Sequence, residues 1–275
     1  MKCIYLSVAI FLPLLCWSQS TLKGRIVDAE TQQGLQYVNI GILGKSIGTV
    51  SNANGDFQLE IKEALYKETL RISSIGYETL NGTVGNYVIE LKRNPTLSLK
   101  TELSTLEEVV LTHKPKKRKR IGNKNVSSFV TYSQPSLQLG NETGVIIKVR
   151  KKTYYIESFN AEFFANTYGN IKFRINFYNL KDGMPHELIL KENIIFETDI
   201  TSGLLEVDLK PYDLVMDENF FVSLELIETL ENKKGVLTFN GKLFGTDTYL
   251  RDTSHDIWIK TPLQTSIGFS MTVLQ

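Results

Sequence analysis

The stretch "SIGTVSNANGDFQLEI", Ser46–Ile61, decides how the first part of the chain is read. At its centre Asn52, Asn54 and Asp56 place side-chain oxygens two residues apart around Gly55, and the alternating run Phe57, Leu59, Ile61 follows. This is either a calcium loop or the corner of a β-sheet. An EF-hand loop needs an acidic first ligand and a bidentate Glu at its twelfth position. With Gly55 set on the loop glycine, those positions fall on Val50 and Ile61, which have no oxygen to offer. Asn and Gly, by contrast, tolerate positive φ and suit a tight hairpin turn leading into a strand. Asn54, Gly55 and Asp56 are therefore expected to be a structural turn, with no metal bound.

Working outward, the same alternation recurs. Leu22, Gly24 and Ile26 alternate with Lys23, Arg25 and Val27; "YVNIGIL" alternates at Val38, Ile40 and Ile42, and "TLRISSI" and "YVIELK" are read the same way. Short period-2 runs broken by Gly, Asn and Asp mark half-buried antiparallel strands, spaced here as in a small sandwich. The helical pieces expected are short, such as Lys62–Lys67 between two strands. Gly76 before Tyr77 marks a bulge or close backbone approach, with Tyr77 packed on a core or an edge.

Three segments in order, "GRIVDAETQQGLQYVNI", "GTVSNANGDFQLEI" and "LRISSIGYETL", resemble the carboxypeptidase-regulatory-like domain, a transthyretin-like β-sandwich found at the N-terminus of many TonB-dependent outer-membrane receptors. The resemblance runs from about Leu22 to Leu91. It rests on Gly24, Asp28, Gly34, Val38, Asn39, Ile40, Gly48, Thr49, Asn54 to Phe57, and Ile75 to Tyr77. It implies a structural and interaction module that is not itself a peptidase. "LEEVVLTH", Leu106–His113, is similar to the segment that follows this domain in the receptors, but no plug or long barrel comes after it.

With 275 residues, of which 42% are hydrophobic, the chain has room for about two domains. The opening "MKCIYLSVAIFLPLLCWSQS" has a charged start at Lys2, an apolar run from Ile4 to Leu15 and then small or polar residues, the layout of a secretory signal peptide at residues 1–18. Its run is too short for a stable membrane span. Cleavage after Ser18 is expected; lipidation at Cys16 is disfavoured by bulky Leu14 and Leu15. Both cysteines, Cys3 and Cys16, leave with the leader, so no disulfide or cysteine metal site is expected. Loss of Lys2 from 31 basic residues leaves 30 against 30 acidic ones, a balance that gives no reason to expect nucleic acid as a partner. The expected location is the periplasm, or an association with the outer membrane or cell surface.

The sandwich is expected over 19–93, followed by a basic linker over 94–125. Lys114, Lys116, Lys117, Arg118, Lys119 and Arg120 cluster there around Pro115. A charge run of this kind is read as a solvated, self-repelling tether, with contact to an anionic envelope polymer or lipid headgroup as its functional reading.

From 126 to 275 a second β-sandwich, jelly-roll-like, is expected, so the fold class is all-β. Ile171, Phe173, Ile175 and Phe177 alternate with Lys172, Arg174, Asn176 and Tyr178; similar runs begin at Leu205, Phe220 and Ile267. Each is read as having one apolar and one largely polar face. A search for catalytic parts finds none assembled. His113, His186 and His255 are the histidines, and His186-Glu187 lacks the second His of HExxH. Ser254, His255 and Asp256 are adjacent, so they point to opposite faces and form no relay. No enzymatic activity and no cofactor are expected.

Among the aromatics Tyr154, Tyr155, Phe163, Phe164, Tyr168, Tyr178, Tyr249 and Trp258, most are read as core, and Tyr178 and Trp258 as candidate ligand-stacking residues. Two functions remain: an exported, non-catalytic envelope adaptor of a gram-negative bacterium that docks a protein through its first domain, or a glycan-binding module with the jelly roll as reader. An exposed aromatic row on one sheet face would favour the glycan; a flat apolar patch or free sheet edge would favour protein docking.

Overall fold

A computed structural model describes residues 19–102, 117–134, 138–150, 152–229, 234–261 and 265–275. The expected leader, residues 1–18, and Lys114 and Lys116 of the basic run lie outside the described residues. The fold is all-β, and no helix among the described residues is long and apolar enough to cross a membrane.

The first body comprises β1 (Gln19–Asp28), β2 (Asn39–Ile42), β3 (Gly48–Val50), β4 (Asp56–Lys62), β5 (Thr69–Ser73), β6 (Leu80–Thr83), α1 (Val84–Arg93) and β7 (Thr96–Leu99). One sheet runs β4-β1-β7 and the other β3-β2-β5-β6. Period-2 patterning becomes burial directly: in β4, Phe57, Leu59 and Ile61 are buried while Gln58, Glu60 and Lys62 are exposed. These side chains join Ile26, Val38, Ile40, Leu70 and Ile72 in the core. β7 pairs in parallel with β1, and Tyr77 bridges Thr101. The sandwich thus runs past residue 93, and the expected linker begins later than 94.

The quoted stretch is a corner but not a hairpin. β3 pairs with β2 and β4 pairs with β1, so Asn52–Asp56 carries the chain from one sheet to the other. Gly55 alone of Asn54-Gly55 takes positive φ, +84°. The side-chain Oδ1 of Asn52 accepts from the backbone N–H groups of Asn54 and Asp56, each at 2.9 Å. Asp56 is paired with Arg25 at 2.8 Å.

"YVIELK" is a second correction, since it lies within α1. The apolar positions Val84, Tyr87, Val88 and Leu91 have helical spacing and are buried together. Thr83 Oγ1 caps the first turn by accepting from Asn86 N at 3.3 Å. The short helical piece after β4 is a single 3-10 turn, Glu63–Leu65.

In the second body the strands are β8 (Arg118–Gly122), β9 (Ser127–Ser133), β10 (Glu142–Ile147), β11 (Tyr154–Asn166), β12 (Ile171–Lys181), β13 (Met184–Leu188), β14 (Ile194–Thr198), β15 (Gly203–Asp208), β16 (Val215–Met216), β17 (Phe220–Thr229), β18 (Leu237–Leu243), β19 (Thr248–Arg251), β20 (Ile259–Lys260), β21 (Thr265–Ile267) and β22 (Phe269–Leu274). One sheet has the order β13-β12-β17-β10-β19-β20, the other β21-β18-β11-β22-β8. Between them lies an aromatic core in which Phe159, Phe239 and Phe269 meet edge to face, with centroids 5.1 and 5.2 Å apart.

The basic run is corrected here. Arg118, Lys119 and Arg120 are no part of a solvated linker: they form β8, paired with β22 from Leu274 to Thr272. Arg118 pairs with Glu157 at 2.6 Å, Lys119 donates to Tyr154 Oη at 2.9 Å, and Arg120 meets Glu162 at 3.3 Å. Exposed Lys117 lies just ahead, its backbone exchanging hydrogen bonds with Gln275.

Candidate functional site: the cleft between the sandwiches

β12 and β17 show where the simple alternation misleads. Their inward residues fill the core as expected. Their polar faces do not meet solvent. Arg174, Asn176 and Tyr178 of β12 and Ser223 and Glu225 of β17 are buried, with Arg174 bonded into the first body and Tyr178 packed against Trp258 of the second. The covering surface is the outward face of β2 and β5, whose register sets Asn39 opposite Ser73 and Gly41 opposite Arg71.

Two glycines allow this approach. A Cβ on Gly41 would stand 2.1 Å from the Ser254 carbonyl oxygen, and one on Gly48 would stand 2.8 Å from it. Around them Ser46 Oγ donates to Asp256 Oδ2 at 2.7 Å and Gly44 N to the His255 carbonyl at 3.0 Å. Tyr37, Val50 and Ile227 close an apolar patch at the same junction.

Beneath the junction lies a buried charge network. Glu142 and Glu225 are cross-strand neighbours. Arg251 pairs with Glu142 at 2.5 Å and Arg174 with Glu225 at 2.9 Å, while Asn176 Nδ2 donates to both carboxylates at 2.9 and 2.7 Å. Tyr178 Oη donates to Glu142 Oε1 at 3.0 Å, and Ser223 donates to the same oxygen. Arg174 also crosses to the first body, donating to the Tyr37 carbonyl at 2.8 Å and to Asn39 Oδ1 at 2.5 Å. Glu225 Oε1 has no partner among the described residues. Burial pushes the Glu225 carboxyl above its ordinary range; Arg174 opposes the shift and Glu142 reinforces it.

Above this network a cleft of about 680 Å³ opens between the bodies. The first body lines it with Arg71, Ser73, Tyr77 and Thr79, and the second with Asn176, His186, Arg251 and His255. A cavity of about 710 Å³ opens elsewhere in the second body, near Tyr155, Tyr212 and Met216. The charged groups around it, such as Lys191 and Asp213, are exposed, whereas Arg174, Asn176 and Arg251 at the floor of the cleft are buried and held by hydrogen bonds, so the cleft is the better candidate.

His255 sits where the bodies meet, on left-handed backbone at φ +66°. Its Nε2 lies 3.3 Å from Ser73 Oγ, a serine–histidine contact that no sequence spacing announced. Burial, then Arg251, Arg71 and Arg174, push its pKa down to about 3, so the ring is neutral at ordinary pH.

Of the sequence-expected residues, Asn54, Gly55 and Asp56 stand at the corner, away from the cleft lining. Tyr178 and Trp258 are brought together, with rings edge to face at 5.6 Å, and Arg251 lies 4.7 Å from the Trp258 centroid. Neither offers a free stacking platform: Tyr178 is buried with its hydroxyl committed, and Trp258 is half-buried over Tyr178 and Phe221. Tyr154, Phe163, Tyr168 and Tyr249 are buried as expected, whereas Phe164 is exposed. Among the described residues no three His, Cys, Asp or Glu side chains converge on a metal position. Arg71, Ser73, Arg174, Glu142 and Glu225 were missed as site residues, because each occupies an ordinary polar position of a strand.

Residues 22–111 match the family described as CarboxypepD_reg-like domain. No curated protein matches the chain. Among solved structures, the cysteine protease and lectin-like domains of Cwp84, a surface layer associated protein of Clostridium difficile, align with TM-score 0.40 and 8% identity over 54% of this chain. The chain spans 37% of that structure's length. A clostridial Cwp84 cysteine protease after propeptide cleavage aligns with TM-score 0.43 and 9% identity, covering 92% of this chain and 70% of its own. Both similarities are too distant to bear on function.

Proposed function

With a carboxypeptidase-regulatory-like domain forming one wall of the cleft, the chain is, we propose, a non-catalytic binding protein exported to the cell envelope of a gram-negative bacterium. Its ligand is held between the two sandwiches. The observation that carries this reading is the cleft, whose polar lining comes from both bodies and rests on a fully buried charge network. Ligand sites concentrate at domain interfaces with a few convergent polar groups. The hydroxyls of Ser73, Ser74 and Thr79 beside charged groups suit an envelope glycan. The leader at 1–18 supports export.

Ser73 and His255 raise the question of acyl transfer, and the chemistry argues against it. A base whose conjugate acid has a pKa of about 3 is a weak acceptor of the serine proton at neutral pH. The three guanidinium groups around the ring would further oppose an imidazolium.

A second reading, docking of an envelope protein, has its own support. Among the described residues β9 pairs with β18 on one side only, and its Phe129 is 98% exposed, as a strand-adding partner requires.

The two readings separate by hydrogen exchange on the intact chain, incubated in turn with envelope glycan and envelope protein fractions. Cleft binding protects Ser73–Thr79 and His186–Leu190. Protection confined to Ser127–Ser133 supports docking and defeats the cleft reading. Turnover of simple esters that Ser73→Ala abolishes would defeat the non-catalytic assignment.

A further inference from the structure

We propose that the cleft is selective for an acidic sugar, a hexuronate unit whose carboxylate is taken by Arg71; this rests on the cleft being the ligand site. The argument begins with how the guanidinium groups are committed. Arg174 uses Nε and both Nη atoms on Glu225, Asn193, Asn39 and the Tyr37 carbonyl. Arg251 is neutralised by Glu142 beneath it. Arg71 differs. Among the described residues its one side-chain hydrogen bond is from Nε to the neutral Asn81 Oδ1, at 3.0 Å.

The two buried arginines are thus matched by two buried carboxylates, and half-buried Arg71 is the guanidinium of the cleft lining left without a carboxylate partner among the described residues. Both its Nη atoms remain for a carboxylate, the geometry in which a guanidinium binds most strongly. The neighbouring His255 pKa is depressed first by burial and then by Arg251 and Arg71, in keeping with a guanidinium at this wall of the cleft. The exposed carboxylates Glu102 and Glu187 also line the cleft, so an acid is held there only where its pairing with Arg71 outweighs their repulsion.

The remainder of the lining favours a sugar over an apolar acid. Ser73, Ser74, Thr79 and His186 offer hydroxyl and imidazole groups, against Ile75, Leu188 and Leu190 on the apolar side. A polyhydroxylated ring can use several such groups at once.

The test is calorimetric titration of the intact chain with trigalacturonate, with its methyl ester, and with a short peptide bearing a free C-terminal carboxylate. The acid is expected to bind saturably, and the ester about tenfold or more weaker, the scale of a lost bidentate pair. Arg71→Gln should erase the preference for the acid over the ester without shifting the melting temperature. Arg71→Lys, which keeps the charge but not the fork, should fall between. Because acid and ester are compared on the unmodified protein, a misfolded variant leaves the result intact. Equal binding of acid and ester, tighter binding of the peptide, or no saturable binding of the acid overturns the proposal. If a neutral oligosaccharide binds and protects Ser73–Thr79, the cleft remains the ligand site and only the acid preference fails; protection elsewhere removes both.

Discussion

Gly55 shows how much a single position can carry. Its φ of +84° is costly for any residue with a Cβ, and a Cβ placed there would lie 2.3 Å from the Ile26 carbonyl oxygen and 2.9 Å from Leu35 N. Gly55→Val should destabilise the first sandwich by at least about 1 kcal/mol, read from denaturant melts. Calcium should leave the wild-type melt unchanged, since Asn52 and Asp56 already spend their oxygens on the corner and on Arg25. His255 makes a different prediction. Its folded pKa of about 3 lies below the ordinary histidine value, so below pH 6.5 the unfolded chain takes up a proton that the folded chain refuses. Stability from this group is present above pH 6.5 and declines as pH falls toward 3, by up to about 1.4 kcal/mol per unit. His255→Asn, which suits left-handed backbone, should flatten the pH dependence of melting between pH 6.5 and 4. An unchanged slope would mean that the ring titrates normally.

At the scale of elements, spacing and pairing decide different things. "YVIELK" shows period-2 alternation at Tyr87, Ile89 and Leu91, but Ile89 is exposed, and the buried set Val84, Tyr87, Val88 and Leu91 has helical period, with Thr83 capping the start. β8 makes the complementary point. Its charges read as a tether because three consecutive basic residues have no apolar face, yet backbone pairing with β22 needs none. Converting Arg118, Lys119 and Arg120 to Gln removes partners of Glu157, Tyr154 and Glu162. It should lower the stability of the second sandwich by about 1 to 2 kcal/mol, given that exposed pairs contribute about 1 kcal/mol or less each. Thermal melts with and without the substitutions test this. Unchanged melting would return the run to a solvated spacer. Neutralising Lys114, Lys116 and Lys117 instead addresses the envelope contact: wild-type association with envelope fractions should weaken in the variant and fade with added salt.

At the scale of the whole molecule, the junction of the sandwiches is the feature most open to attack. Gly41→Val would drive a side chain into the Ser254 carbonyl, 2.1 Å from the position of its Cβ. The sandwiches should separate while each keeps its own core. A larger radius of gyration by solution scattering, with added exchange at Thr253–Asp256, is the expected result; an unchanged radius would show that the junction yields locally. Arg174→Ala acts from within. It leaves Glu225 buried without its cation, so a loss of about 3 to 5 kcal/mol is expected in denaturant unfolding.

The sequence by itself determined the all-β class, the corner at Asn52–Asp56 and most of the core, because alternation and turn chemistry are local and act wherever the chain lies. It also carried enough signatures to mark the first domain. Which of two faces of a strand meets solvent is not local. Arg174, Asn176, Tyr178 and Glu225 occupy the polar positions of their strands as any solvated residues would, and only the first sandwich, fitted over them through Gly41 and Gly48, makes them a buried network beneath a cleft. Ser73 and His255, 182 residues apart, meet for the same reason. Tertiary packing decided the candidate site because its charges come from strands that local pattern cannot bring together.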